Sequence, residues 1–128
     1  MNGKERGFSL VMAVFLMVVV ALLGAYMVTI GTTQQQVSTL SILGARTFAA
    51  AESGMEWGVA EVIGGSACFG SPANFTLSGG AADGYAIVAT CDSPGTDMFR
   101  IAVTATRGSV GSADYSRRSI RATVTTAP

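Results

Sequence analysis

Few side chains in this chain are capable of chemistry, and their types and spacing exclude most catalytic schemes. The 128 residues include no His, which removes Ser-His triads, a His general base and His-ligated zinc. Its two cysteines, Cys68 and Cys91, are too few for a zinc ligand set. Glu52 and Glu56 stand four apart, so a helix would place both carboxylates on one face, where they repel slightly. Their expected use is contact with an Arg, from the sheet (Arg100 or Arg121) or from an adjacent subunit, and not paired acid-base catalysis. Asp92 and Asp97 bracket Ser93-Pro94-Gly95-Thr96, and hard oxygen ligands of this kind suit calcium. The spacing is not that of an EF-hand, however, and an Asx-type turn is the expected structure. Ser53-Gly54 lacks the Gly-x-Ser-x-Gly elbow of a nucleophilic serine. Trp57 and Tyr115 suit packing or subunit contact better than ligand binding. The sequence therefore points to no enzyme, no cofactor, no metal and no small-molecule substrate.

The elements that would carry these residues begin with a long apolar segment. Hydrophobic residues make up 49% of the chain and charged residues 12%, about half the charged share of an average soluble domain. Between Arg6 and Arg46 there is no Asp, Glu, Lys or Arg. Residues 8–30 as a helix would extend roughly 35 Å at about 1.5 Å per residue, enough to cross a bilayer core. Lys4 and Arg6 precede this span and no basic residue follows it before Arg46, so the positive-inside rule places the N-terminus in the cytoplasm. The remainder is then periplasmic, with the chain held as a single-pass protein of the inner membrane. In that oxidising compartment Cys68 and Cys91 are expected to form one disulfide, stabilising the domain by about 3 kcal/mol in the chain-entropy model. Without residues 1–7, which hold Lys4, Glu5 and Arg6, six basic and seven acidic residues remain. No nucleic-acid-binding footprint is visible, and Arg117, Arg118 and Arg121 read as a solvated strand face.

A secretory signal is a poor match, because Leu23-Gly24-Ala25 and Thr29-Ile30-Gly31 do not supply the small-residue cleavage pattern. A lipoprotein signal is excluded, since the first Cys is Cys68. An uncleaved single-pass anchor with a periplasmic interaction domain is compatible with composition alone.

Residues 31–63 continue the helix. No Pro precedes Pro72, and Val37, Leu40, Gly44, Phe48, Ala51, Met55, Val59 and Val62 keep a helical spacing that predicts an amphipathic stripe. Gly24, Gly31, Gly44, Gly54 and Gly58 each weaken a helix by about 1 kcal/mol relative to Ala. Close helix packing, or local stretching of the membrane half, would account for them, though Gly is also common in membrane helices. Gly64-Gly65 ends the helix. Residues 64–128 then alternate with period two in four runs: Phe75 and Leu77; Tyr85, Ile87, Ala89 and Cys91; Phe99, Ile101, Val103 and Ala105; Ile120, Ala122 and Val124. Turn-rich segments separate them, predicting an antiparallel meander with one face covered by the helix. The fold class is α+β.

Two motifs carry a resemblance to the type IV pilins. A short basic leader ending in Gly7, followed by Phe8-Ser9-Leu10, resembles the site where prepilin peptidase cuts before the first residue of a pilin. Phe48-Ala49-Ala50-Ala51-Glu52-Ser53-Gly54-Met55-Glu56 looks like the A-A-E-S-G segment of the PilX-like minor-pilin group, and the resemblance spans the whole chain. It implies a pilin-like fold, with a leader at 1–7, a membrane and assembly half at 8–30, a periplasmic half at 31–63 and a sheet domain beyond. It further implies cleavage between Gly7 and Phe8, N-methylation of Phe8, and partners among other pilin subunits, the pilus assembly machinery and the peptidase. Phe48, Glu52, Ser53, Gly54 and Glu56 would make subunit contacts. The departure is Met12, where major pilins carry a Glu that faces a neighbouring subunit's amine. Its absence suits a subunit that starts a filament or sits at its tip, or one that never enters a filament and assists assembly from the membrane. A minor pseudopilin of type II secretion also resembles this chain in lacking the Glu, but usually has a larger domain.

Overall fold

The computed structural model describes residues 2–126, with side chains described from Ser9 onward. One helix, α1, runs over Asn2–Gly65, and the chain divides into two compact units, residues 1–40 and 41–128. The first unit is helical over all of its described residues. None of its described side chains is buried, and Leu10, Phe15, Met17 and Tyr26 are exposed.

The second unit combines the C-terminal length of α1 with four strands, β1 (Ala73–Thr76), β2 (Ala86–Gly95), β3 (Met98–Arg107) and β4 (Ser116–Thr125). They form one antiparallel sheet in the order β1-β2-β3-β4. This is the meander expected from the period-two runs, with the expected residues turned inward. Tyr85, Ile87, Ala89, Phe99, Ile101, Val103 and Ala105 are buried, with Phe75, Leu77, Cys91, Ile120 and Val124 packed partly buried against them. The helix ends at Gly65, and Ser66 follows at φ 48°.

The helical face that meets this sheet differs from the predicted stripe. Thr47, Ala50, Ala51, Gly54, Gly58 and Val62 are buried, with Met55 and Val59 at the margin. Phe48 is 40% exposed, and Val37 and Leu40 are exposed, as is Gly44. The face is rotated toward the small residues because the sheet supplies the bulk. A Cβ on Gly54 would lie 2.8 Å from both Ile87 Cγ2 and Val103 Cγ1, and one on Gly58 would lie 3.2 Å from Ile101 Cγ2. Those methyls sit on β-branched carbons with little rotameric freedom. Two of those five glycines, Gly54 and Gly58, are thus explained by packing within this one chain, not by contacts with other helices or by stretching. At Gly24, Gly31 and Gly44 an added Cβ would have no neighbour within 4 Å.

Trp57 closes one end of the core, with ring centroids 5.1 Å from Phe69 and 4.9 Å from Phe75. Beside this cluster Cys68 and Cys91 form a disulfide, Cα–Cα 5.5 Å, that ties the segment after α1 to β2. The loop between β3 and β4 turns on Gly108 at φ 72°, where an added Cβ would meet Ser112 Oγ and Asp114 Oδ1. The Ser112 hydrogen bond, aided by the Asp114 backbone and the nearby Arg107 charge, holds the exposed Asp114 carboxyl below its ordinary range.

The contrast between glycines is measurable by urea unfolding of the full-length protein in detergent, followed by Trp57 fluorescence. Gly44→Ala is expected to stabilise by up to about 1 kcal/mol from helix propensity. Gly54→Ala is expected to destabilise, because overpacking of about 1–3 kcal/mol outweighs that gain. Equal shifts for the two would show that the sheet yields freely at Ile87 and Val103.

Candidate functional site

Among the described residues no cluster is arranged for catalysis, and no group of three or more His, Cys, Asp or Glu lies close enough to hold a metal ion. Asp92 belongs to β2, in register opposite Arg100, and the segment after it is a β-hairpin with an irregularity between Asp92 and Gly95. Ser93 Oγ lies 2.9 Å from the Gly95 carbonyl oxygen and so braces the turn. The Asp92–Asp97 loop is thus built by strand pairing and braced by a serine hydroxyl.

What the chain does present is three surfaces. The first is the apolar length of α1. From Ser9 the helix is long and apolar enough to cross a membrane, and its most apolar length has no buried residue. Met12 is in this length, 48% exposed. The threonines near its end satisfy their own hydroxyls: Thr29 donates to the Ala25 carbonyl at 3.1 Å, and Thr33 to the Thr29 carbonyl at 3.0 Å. A hydroxyl returned to the i−4 carbonyl leaves no unsatisfied donor in an apolar medium. The Gly7–Phe8 peptide bond, where cleavage would occur and expose the amine to be methylated, lies in α1 ahead of the residues whose side chains are described.

The second surface is the outward side of α1 in the sheet-bearing unit. Glu52, Ser53 and Glu56 are exposed there, whereas Gly54 of the same motif faces the sheet. Ser53 Oγ donates to the Ala49 carbonyl at 2.9 Å, the i−4 bond of a helical serine. Phe48 lies beneath Arg118, whose guanidinium carbon is 5.8 Å from the ring centroid.

The third surface is the outer face of the sheet. Strand parity sends Arg100, Arg117 and Arg121 away from the helix, while Arg118 and Arg107 point to the helix side, Arg107 lying 5.5 Å from the Tyr85 ring centroid. The cluster expected to form one solvated strand face is therefore split between two faces. The same parity rules out the expected pairing of Glu52 with Arg100 or Arg121 inside one chain. Those arginines lie on the side of the sheet that α1 does not touch.

A buried polar junction joins helix to sheet, and the motifs of the sequence do not announce it. Thr47, 2% exposed, has its Oγ1 2.6 Å from the Leu43 carbonyl oxygen, 3.2 Å from Tyr85 Oη and 2.8 Å from Ser116 Oγ. Thr47 donates toward both the Leu43 carbonyl and Ser116 Oγ, which share its single proton, so the Tyr85 hydroxyl is the one that donates to Thr47. Its one signal in the sequence is a Thr placed a turn before Ala50-Ala51, where the helix face turns inward.

No family model matches this sequence, and no curated protein and no solved structure matches it. The architecture is type-IV-pilin-like: a long N-terminal helix, apolar in its first length, packed in its last on a small antiparallel sheet and stapled by a disulfide.

Replacing Thr47 by Val keeps the shape of the side chain and removes the shared hydroxyl. Because Tyr85 is fully buried, its Oη then loses the partner that accepted its proton, and a loss of about 1–3 kcal/mol is expected. Urea midpoints of wild type and Thr47→Val compared at constant slope would measure it, and an unchanged midpoint would show that water replaces the hydroxyl.

Proposed function

We propose that this chain is a minor subunit of a type IV pilus. Prepilin peptidase cuts between Gly7 and Phe8, the new N-terminus is methylated on Phe8, and the apolar length of α1 stores the subunit in the inner membrane before packing in the filament core. The N-terminus is cytoplasmic and the sheet domain periplasmic. The observation that carries this reading is continuity: a helix apolar enough to cross a membrane runs without interruption into the helix that completes a sheet domain's core. A signal sequence or a detachable anchor has no need of that continuity. A basic leader ending at Gly7-Phe8 stands where processing requires it.

Within the minor pilins, the Cys just after the helix, the short region between Cys68 and Cys91 and the arginine-bearing last strand resemble the MSHA pilus biogenesis protein MshP. An MSHA-type filament is thus the system in which this chain acts. Met12 supports a place at its start or tip. A buried ammonium without a partner costs several kcal/mol, and a thioether supplies no charge to a neighbour's amine. Only the first subunit of a filament has no earlier amine to neutralise.

Intact-mass spectrometry of the membrane-extracted protein, from cells with and without prepilin peptidase, tests the reading. Peptidase-dependent loss of residues 1–7 with a methyl group on Phe8 is expected, and a full-length mass in both strains would overturn it in favour of an uncleaved anchor. Introducing Glu at Met12 is expected to admit the subunit to the filament shaft. Unchanged location and filament number in Met12→Glu cells would remove the tip argument.

A further inference from the structure

We infer that the sheet-bearing unit docks on anionic phospholipid headgroups through the end at which α1 enters it, with arginines on the lipid phosphates and Val110 in the headgroup layer. The inference rests on the reading of α1 as a membrane span, and not on cleavage at Gly7 or on contact with other subunits.

The buried polar junction fixes which parts of the sheet lie at the entry end. Thr47 Oγ1 is 2.8 Å from Ser116 Oγ and 3.2 Å from Tyr85 Oη, so the start of β4 and the residue before β2 are level with the first turns of α1 in this unit. The end of β3 is there too, because Arg107 pairs with Ser116. The opposite end holds the β2–β3 hairpin and the end of α1, with the Cys68–Cys91 disulfide between them.

Charge is divided between these two ends. Of the unit's six arginines, four gather at the entry end: Arg46 on α1, Arg107 at the end of β3, and Arg117 and Arg118 at the start of β4. Asp83 and Asp114 are the acidic residues there, and Asp83 Oδ1 accepts from the Gly79 N–H of its own loop at 2.9 Å. The opposite end carries Glu61, Asp92 and Asp97 against Arg100. The unit therefore has its positive pole where the chain arrives from the apolar length of α1. Arg117 and Arg118 are adjacent on a strand and point to opposite faces of the sheet, which spreads the charge around this end. Arg107 is tied to the Asp83 carbonyl at 3.3 Å and Arg118 lies over the Phe48 ring. Arg46 and Arg117 are exposed, and among the described residues no ion pair engages them.

Apolar side chains accompany these charges. Val110, in the loop that leaves this end between β3 and β4, is 85% exposed, more than any large apolar residue described on α1, and Ile42 is exposed at the same end. Basic residues beside exposed apolar ones are the pattern of a segment that binds an anionic bilayer surface. The planar guanidinium fork suits a lipid phosphate.

A lipid surface is also the partner within reach. Residues 34–40 are all that separate Thr33 from this unit, about 10 Å of helix at 1.5 Å per residue. The headgroup region on each side of the hydrocarbon core is about 5–8 Å deep, and arginine stems and the β3–β4 loop cover the remainder. The tether makes the encounter intramolecular, so a few individually weak contacts suffice. Docking then holds the depth of the span, because sliding α1 outward strips arginines from phosphates and sliding it inward drives charge toward the core.

The test uses the full-length protein reconstituted in vesicles of phosphatidylcholine with phosphatidylglycerol, or of phosphatidylcholine alone. Val110→Cys carries a fluorescent dye, and lipids with a nitroxide on the headgroup quench it on contact. Asp97→Cys, at the opposite end, carries the same dye as a control. Quenching is expected at residue 110 in the anionic vesicles, weakening with salt, and not at residue 97. An arginine near an anionic surface is worth about fivefold in occupancy, so Arg46→Gln with Arg117→Gln is expected to lower the ratio of docked to free domain about 25-fold. An intact disulfide and unchanged Trp57 fluorescence would show that the variants fold. Equal quenching at the two positions, or quenching at residue 110 indifferent to lipid charge and to both substitutions, would overturn the proposal. So would shielding of that dye in phosphatidylcholine alone that grows with protein density, which would assign this end to a second copy. Flotation of the same vesicles reads the span separately. A chain that floats with residue 110 unquenched refutes the docking alone, and a chain that does not float refutes the membrane reading with it.

Discussion

The close approach of α1 to the sheet at Gly54 and Gly58 is the constraint on which the sheet-bearing unit depends. Ile87, Ile101 and Val103 fill the space that helix side chains would otherwise occupy. Interiors reach organic-crystal density only when large groups on one element face small ones on the other. Here the sheet contributes the large groups and the helix contributes Ala50, Ala51, Gly54 and Gly58. The arrangement costs helix propensity at two positions, and it is tolerable because the helix is long and held by burial. A sheet of four strands with one apolar face is not stable alone at this size. The helix is therefore part of the domain's core and not a tether attached to it. Thr47 and the disulfide act at two different edges of the same contact, one joining α1 to Tyr85 and Ser116 and the other joining the chain after α1 to β2.

That constraint also explains which parts of the fold are legible in the sequence. Strand parity is readable because Tyr85, Ile87, Ile101 and Val103 are large, apolar and strictly alternating, and a one-residue slip would turn every one of them to solvent. The helix end is readable from Gly64-Gly65. The helix face is not, because hydropathy weights bulk, and the stripe through Leu40, Gly44 and Phe48 is bulkier than the one through Thr47, Ala50 and Gly54. When the partner surface brings the volume, the buried face of a helix is marked by smallness, and the aromatic beside it stays outside under Arg118. The exclusion of Glu52 from Arg100 and Arg121 is implicit in the alternation. A residue between Phe99 and Ile101 has to point away from whatever those two face. Thr47 is illegible for a different reason: its partners are 38 and 69 residues away, and no local pattern encodes a hydroxyl shared across that separation.

Residues 9–40 pose the complementary problem. The chain exposes an apolar helix whose hydrophobic side chains are left uncovered by their own unit. In water such a surface carries the full hydration cost, on the order of 25 cal/mol per Å², so the segment is stable only in lipid or against other helices. Its polar content is consistent with either. Thr29, Thr32 and Thr33 return their hydroxyls to carbonyls of the preceding turn, so the threonines of this length make no demand for water before the glutamines at 34–36.

On the proposed reading, Met12 and the charges of the sheet-bearing unit belong to one argument. A carboxylate near the start of α1 would give neighbouring helices a fixed register, because an ammonium and a carboxylate in an apolar core are strongly penalised for any other alignment. Met12 offers no such penalty: apolar helices slide past one another with little change in energy, and packing alone does not choose a unique offset. Register then has to come from elsewhere on the subunit. The charges after the span lie from Arg46 onward, outside the apolar length, and most of the arginines gather where α1 enters the sheet-bearing unit. A charged contact at that surface is weaker than one in an apolar core, but on lipid headgroups it fixes the depth at which the span sits. The absence of a core-buried register device and the presence of a charged domain surface thus fit together. A subunit held at one depth by its domain presents its helix at one level, and this is the property a filament needs where it begins.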